Sequence, residues 1–238
     1  MAHAHDLDPS TTAAEWWQDR YATGATTWSG NPNGLLVEVA EELAPESGSR
    51  RSGDAASTGE LGAGPRTALD LGCGTGGDAI WLASLGWRVT AVDIAQAALD
   101  QGAQHAAEVS AEVADRITWE RHDFEVSFPA GQFDLVSACY LQSPVEFARL
   151  DALRAAAAAV APGGALIVVS HESFPSGDQR DPGSTNYMPL VDELVADLAL
   201  PEAEWTVHTA RSVPRRKTTA DGREIAYADH VARFDRRS

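Results

Sequence analysis

Residues 68–79 read ALDLGCGTGGDA, an apolar run that passes through glycines into the start of a helix. Gly72, Gly74 and Gly77 keep the G-x-G-x-x-G spacing, in which missing side chains let the backbone turn tightly and approach a ligand at a helix N-terminus. Asp93 closes the run RVTAVD. A carboxylate there can accept two hydrogen bonds from a vicinal diol, which is what a ribose offers. Together these residues describe a seat for a nucleoside-bearing cofactor. They suit two kinds equally: one carrying a pyrophosphate and one carrying cationic groups.

Three further features separate the two, NAD and S-adenosyl-L-methionine. Asp70 precedes Gly72 at the buried end of the first strand. A carboxylate at that place repels a pyrophosphate and attracts the ammonium and sulfonium charges of S-adenosylmethionine; the alternative is a structural aspartate bonded to loop amides. His122-Asp123-Phe124 follows the third strand, where Asp123 can accept from an adenine amino group and Phe124 can offer a backbone amide or an apolar contact; the alternative is a plain loop carboxylate. The third is Pro162-Gly163-Gly164 before the fifth strand, followed by a closing hairpin that a nicotinamide domain does not call for.

The elements that must position these residues are legible from residue 66 onward. Strand TALDLG, helix GDAIWLASLG, strand RVTAVDI, helix QAALDQGAQHAAEV, strands ITWERHDF and FDLVSACYL, helix PVEFARLDALRAAAAAVA and strand ALIVVS alternate. Short apolar strands interleaved with helices imply a doubly wound, mostly parallel α/β sheet covered on both faces. Ser143-Pro144-Val145-Glu146 predicts a capping box with proline at the first helical position, and Gly163-Gly164 a helix stop. EWTVHTA and REIAYADHVARF, joined through Asp221-Gly222, predict an antiparallel hairpin that closes the sheet.

A single domain is expected over 1–238. Its parts are a loose tail over 1–12 that holds His3 and His5, an N-terminal cover and helix over 13–44, a flexible loop over 45–65, and a catalytic core over 66–238. The 238 residues are 44% hydrophobic, enough for a full core. No run approaches a membrane span and the first residues lack the basic and apolar regions of a signal peptide, so a cytoplasmic location is expected. Cys73 and Cys139 are the only cysteines, which offers neither a disulfide framework nor a metal pair. A net charge of −17 argues against nucleic acid as a partner and leaves small molecules. No oligomeric state is implied. Against that acidity, Arg211, Arg215, Arg216, Lys217, Arg223, Arg233, Arg236 and Arg237 all fall after residue 210.

ALDLGCGTGGDA, VTAVDIA, HDF, FDLVSACYL and APGGALIVVS, in that order, resemble class I S-adenosylmethionine-dependent methyltransferases over roughly residues 66–170. The resemblance implies a Rossmann-like seven-stranded sheet with an antiparallel C-terminal hairpin. It places Asp70, Gly72 and Gly74 at the methionine end of the cofactor, Asp93 and Ile94 at the ribose and adenine, Asp123 and Phe124 at the adenine, and Cys139 beside the methionine part. Cys73 lies inside the loop, where the cofactor would cover it. WWQDRYATGATTWSGNPN, LGCGTGGDAIWLASLGWRVTAVD and RRKTTADGREIAYADHVARF are similar to the thiopurine and tellurite-resistance group. In that group the hairpin carries a His-Arg pair facing the substrate, and Arg216 and Lys217 stand at those places.

Methyl transfer is an in-line displacement on a carbon already activated by positive sulfur, so alignment and desolvation dominate and no metal is needed. Thiolates and metalloid oxyanions need little more, whereas hydroxyls and amines need a base. His171, directly after ALIVVS, is either the best-placed titratable group for that work or a loop histidine with no part in proton transfer. Tyr140 and Cys139 follow the fourth strand, either as packing or as pocket. Trp17, Tyr21 and Trp28 either line a substrate pocket over the sulfonium or pack the N-terminal segment onto the sheet. Arg216 is either a solvated hairpin edge or part of an anion-attracting mouth. The competing functions are a nicotinamide-dependent oxidoreductase and a regulatory protein that binds S-adenosylmethionine without turnover.

Overall fold

The computed structural model describes residues 10–24, 30–41, 43, 65–173, 188–218, 222 and 224–238. His3, His5, Trp28, most of the 45–65 loop and the side chain of Lys217 lie outside the described residues.

Seven strands form one sheet: β1 (Thr67–Leu71), β2 (Arg88–Asp93), β3 (Ile117–Arg121), β4 (Phe133–Cys139), β5 (Val160–Ser173), β6 (Trp205–Thr218) and β7 (Glu224–Arg236). Their order is β3-β2-β1-β4-β5-β7-β6. The first five run parallel, while β7 pairs antiparallel with both β5 and β6. The helices are α1 (Ala13–Ala22), α2 (Gly34–Glu41), α3 (Gly77–Ser84), α4 (Gln96–Val109), α5 (Ala111–Ala114), α6 (Arg149–Ala158) and α7 (Val191–Leu198). The central strands are apolar at successive positions because both of their faces are covered. Leu69, Val136, Leu166 and Val168 pack with Leu153, Leu194 and Leu198 of α6 and α7. Ala68, Leu135, Ile167 and Val169 pack on the other side with Leu36, Val39 and Leu82 of α2 and α3.

Two boundaries differ from expectation. The helix after β4 starts at Arg149, not Pro144, with Ala148 as an N-cap that makes no side-chain bond. Ser143 does not cap it: its hydroxyl accepts from the Val145 amide and from the Trp17 indole instead. Arg149 then fixes the start of the helix by donating to Leu141 O and Ser170 Oγ. The helix also ends before Gly163-Gly164, and β5 already begins at Val160. The ladder to β4 jumps from Phe133↔Val160 to Leu135↔Ala165, so Pro162-Gly163-Gly164 is an excursion within the strand. Gly163 takes φ +81, and a Cβ on Gly164 would lie 2.8 Å from Asp134 O. Helices α1 and α7 escape a reading by composition. Helix α1 is announced only by its Thr12-to-Glu15 capping box, and α7 by the amphipathic VDELVADL after Pro189.

Candidate active site

The carboxyl ends of β1, β2, β4 and β5 meet the amino end of β7 along one edge of the sheet, where doubly wound folds bind ligands. The glycine loop follows β1 directly. Its Gly72 and Cys73 amides donate to Val92 O, and Gly72, Gly74 and Gly76 all take positive φ. Glycine is required at Gly74 for a second reason: a Cβ there would sit 2.9 Å from the Tyr21 hydroxyl. Asp93 is buried. One of its oxygens accepts from the Gly74 amide at 2.9 Å and the other from the Ala95 amide at 2.9 Å. Each oxygen keeps a lone pair for a further donor.

Asp70 is 1% exposed and uses one oxygen on the Ser137 hydroxyl at 3.1 Å. Its other oxygen, Oδ2, is buried with no hydrogen-bond partner. Burial raises the Asp70 carboxyl well above its ordinary range, and the neighbouring Asp78 and Asp93 add to the shift. Burial raises Asp78 and Asp93 as well. Among the described residues no lysine or arginine forms an ion pair with any of the three. Buried Asp70 and Asp93 and half-buried Asp78, with no described cation paired to them, form a site that a bound positive charge would stabilise and a pyrophosphate would not. Cys73 and Cys139 lie beside them, and burial together with the same carboxylates drives both thiols well up. Both are poor nucleophiles as a result.

Helix α1 lies across this loop. Trp17 and Tyr21 pack with Ala95, Ala97 and Ala98, and the Trp17 indole donates to Ser143 Oγ at 3.2 Å. Gln18 accepts from the Ala97 amide, which supplies the cap that α4 lacks from its own N-cap residue. Asn33 ties the cover to the core from the other side. Its amide donates to Asp78, and its side-chain oxygen accepts from Leu35 and Leu36 at the start of α2.

Farther along the edge, His171, Tyr140 and Arg215 converge on Asp229, which is 0% exposed. His171 Nδ1 lies 2.8 Å from Asp229 Oδ1. The Tyr140 hydroxyl and Arg215 Nη1 donate to Oδ2 at 2.9 and 3.1 Å. The rings of Tyr140 and His171 stack at 4.2 Å. Burial opposes ionisation of Asp229, but the hydrogen bonds from His171 and Tyr140 and the nearby charges outweigh it and hold the carboxyl below its usual range. Burial and Asp229 push the Tyr140 phenol up, so it stays a donor. Tyr140 takes φ +55, a left-handed conformation that a tyrosine adopts at a cost of about 1–3 kcal/mol.

The remaining expected site residues are placed as follows. Ile94 borders the loop and its carbonyl accepts from Arg121. Asp123 accepts from the Glu125 amide beyond β3, and Phe124 packs on Phe128. Arg216 is not brought to the edge cluster: strand alternation turns it to the opposite face from Arg215, where it is 80% exposed and pairs with Glu224. Asp229, Asn33, Gln18 and Gln142 do not emerge from the sequence. The one signal for Asp229 is a carboxylate within a strand that otherwise reads as buried.

Sheet order, antiparallel closing strands and the glycine loop under a buried aspartate define the class I S-adenosylmethionine-dependent methyltransferase fold. Residues 69–166 match the model of a methyltransferase domain family. A structure reported for the conversion of a disulfide bond into a thioacetal group during echinomycin biosynthesis has a TM-score of 0.65, with 21% identity over 95% of this chain and 92% of that one. TehB from Haemophilus influenzae has a TM-score of 0.62 at 16% identity, covering 93% of this chain and 67% of that one. The N-methyltransferase NodS from Bradyrhizobium japonicum has 0.52 at 20% identity, covering 73% and 86%. At such identities the likeness is one of fold. No curated protein matches the chain in sequence.

Proposed function

We propose that this protein transfers a methyl group from S-adenosylmethionine to a small-molecule acceptor, such as a thiol or metalloid oxyanion, by in-line displacement. The observation that carries the reading is the buried Oδ2 of Asp70, which has no hydrogen-bond partner and lies near carboxylates that no cation among the described residues pairs with. The cofactor's contribution is a methyl carbon made electrophilic by its sulfonium. Asp70 would receive the ammonium group, Gly72 and Gly74 leave room for the chain, and Asp93 would take the ribose hydroxyls on its remaining lone pairs. Asp123 and Phe124 would border the adenine, and Cys139 the methionine part. Trp17 and Tyr21, already seated on the loop, would exclude water and lay aromatic faces near the positive sulfur. The carboxylate cluster counts against NAD, whose pyrophosphate it would repel.

Calorimetric titration of S-adenosylmethionine, S-adenosylhomocysteine and NAD into wild type and Asp70→Asn tests this. The expected result is binding of the first two and none of NAD, with the S-adenosylmethionine affinity of the variant at least about tenfold weaker, the loss of one charge-assisted contact worth about 1.5–3 kcal/mol. Binding of NAD alone would overturn the reading. Cofactor binding without S-adenosylhomocysteine release for any acceptor would favour a regulatory binding protein.

A further inference from the structure

The α6 side of the sheet buries a second group of polar residues at the carboxyl end of β5, and none of them belongs to a cofactor motif. Leu166 and Val168 of β5 pack with Leu153 of α6 and Leu194 of α7, so alternation turns Ser170 to the same side. Arg149, the first residue of α6, donates from Nη2 to Ser170 Oγ at 2.6 Å. His230 stands directly opposite Ser170 in the ladder between β5 and β7, which puts the two Cβ atoms about 5 Å apart on that side. Both residues are fully buried. Gln142 fixes this end of β5, because its side chain accepts from the His171 amide at 2.8 Å and donates to the His171 carbonyl at 3.2 Å.

The protein leaves this group unbalanced in two respects. Neither ring nitrogen of His230 has a hydrogen-bond partner, a cost that folded chains rarely carry. Arg149 is pulled down by burial to about 10, so it stays charged at neutral pH, yet no carboxylate among the described residues pairs with it. Glu172, two residues beyond Ser170 and with its own Oε2 buried and partnerless, forms no ion pair with Arg149 either. The Arg149 charge reaches His230, because together with burial it pushes the imidazole down to about 4. Helix α6 starts here with no side-chain cap, and the positive end of its dipole adds to the guanidinium. An unpaired buried cation, a hydroxyl that accepts from it and still has a proton to give, and a partnerless imidazole make a seat for an anion. That seat adjoins the glycine loop. Arg149 Nε donates to Leu141 O at 2.7 Å, and the Leu141 side chain fills the space beside Gly72, where a Cβ would lie 2.8 Å from its Cδ1.

We propose that Arg149, Ser170 and His230 form an oxyanion subsite that holds the acid group of the methyl acceptor, and that the acceptor is accordingly a small organic acid. This rests on the methyltransferase reading above. Arg149 supplies the charge, while the Ser170 hydroxyl and a His230 ring N–H supply donors. The bound anion also cancels the repulsion by which Arg149 keeps His230 unprotonated. The other titratable groups near the imidazole, Asp229 and His171, face the opposite side of the sheet, where Asp229 holds His171, Tyr140 and Arg215; Glu172 lies at the bulge farther along β5. On a chain of net charge −17, a localised cationic seat is what an acidic acceptor requires.

The test begins with protein labelled with ¹⁵N at histidine, titrated with acetate and with acetamide, which matches acetate in shape and lacks its charge. Acetate should move the ring resonances of His230, identified by their loss in His230→Gln, saturably toward imidazolium values, and acetamide should not. Arg149→Gln should weaken acetate at least about tenfold, the loss of a charge-assisted contact. Because that variant also gives up the bonds to Leu141 and Ser170, the wild-type contrast between acetate and acetamide decides alone. No saturable shift with acetate, or an equal shift with acetamide, overturns the subsite. Its use by the acceptor is read from S-adenosylhomocysteine release with 3-mercaptopropionate and 3-mercapto-1-propanol, two thiols alike apart from the acid group. In wild type kcat/KM should be at least about tenfold higher for the acid, through KM, and Arg149→Gln should abolish the difference. Release no faster from the acid than from the alcohol overturns the assignment to the acceptor. The acetate titration needs no cofactor, so a failure of S-adenosylmethionine to bind by calorimetry, which would remove the methyltransferase reading, is distinguished from a failure of the subsite.

Discussion

At the scale of single residues, the glycines show which positions the fold cannot vary. The Trp119 indole lies between two of them. A Cβ on Gly76 would stand 2.4 Å from its Cη2, and one on Gly102 would stand 2.5 Å from its Cζ3. Gly102 is mid-helix, so Gly102→Ala gains about 0.8–1 kcal/mol of helix propensity but must displace a rigid ring, at about 1–3 kcal/mol. The clash should win by roughly 1 kcal/mol. Gly76→Ala should cost more, because φ +84 adds left-handed strain of about 1–2 kcal/mol and no helix gain offsets it. Urea midpoints of the two variants check the order, and Trp119→Leu in the Gly102→Ala background should recover part of the loss. Gly72, Gly74, Asp70 and Asp93 could be read from sequence because backbone conformation and buried charge confine what a position tolerates. Asp229, Asn33 and Gln142 could not, because each acts on a partner far away in sequence and any polar residue in a loop or strand looks the same beforehand.

At the scale of elements, the same division holds. The βα alternation and the closing hairpin follow from periodicity, a local property. The start of α6 does not: the Ser143 hydroxyl that would cap a longer helix is committed to Val145 and Trp17, and Arg149 draws the chain to Leu141 O and Ser170. Tertiary contacts outbid a good local signal. Helix α1 is the opposite case, secured by a local device. The Thr12 hydroxyl accepts from the Glu15 amide while Glu15 accepts from the Thr12 amide and hydroxyl. Because α1 carries Trp17 and Tyr21 onto the loop and Gln18 onto α4, its stability should bear on the cofactor site. Thr12→Ala should cost about 1 kcal/mol, localised to α1. Hydrogen exchange of residues 13–22 should speed several-fold while β5 is unchanged, and S-adenosylmethionine affinity should fall by a similar factor. Unchanged affinity with faster exchange would mean that α1 does not cover the bound cofactor.

At the scale of the whole molecule, two sets of buried titratable groups pull stability in opposite directions with pH. His230 is fully buried with neither ring nitrogen partnered, and its folded value of about 4 lies below the unfolded value near 6.5. The unfolded chain therefore binds the extra proton between those values, so this contribution is lost as pH falls from about 6.5 toward 4. Asp70, Asp78 and Asp93 are raised. There the folded chain holds protons that the unfolded chain has released, and stability falls as pH rises from the ordinary carboxylate range through the raised values. Replacing His230 by Leu should flatten the acid limb, and Asp70→Asn the alkaline one. A bound cation reverses the alkaline penalty, because it interacts with the ionised carboxylates and not with the protonated ones. The stabilisation by S-adenosylmethionine should therefore grow with pH. At a concentration 100-fold above Kd it amounts to about 2.7 kcal/mol, and at fixed ligand it should shrink as the solution is taken from pH 8 toward pH 5. A thermal shift that is independent of pH, or equal in Asp70→Asn, would show that the Asp70 charge does not hold the ligand and that its buried oxygen is a structural cost of the loop alone.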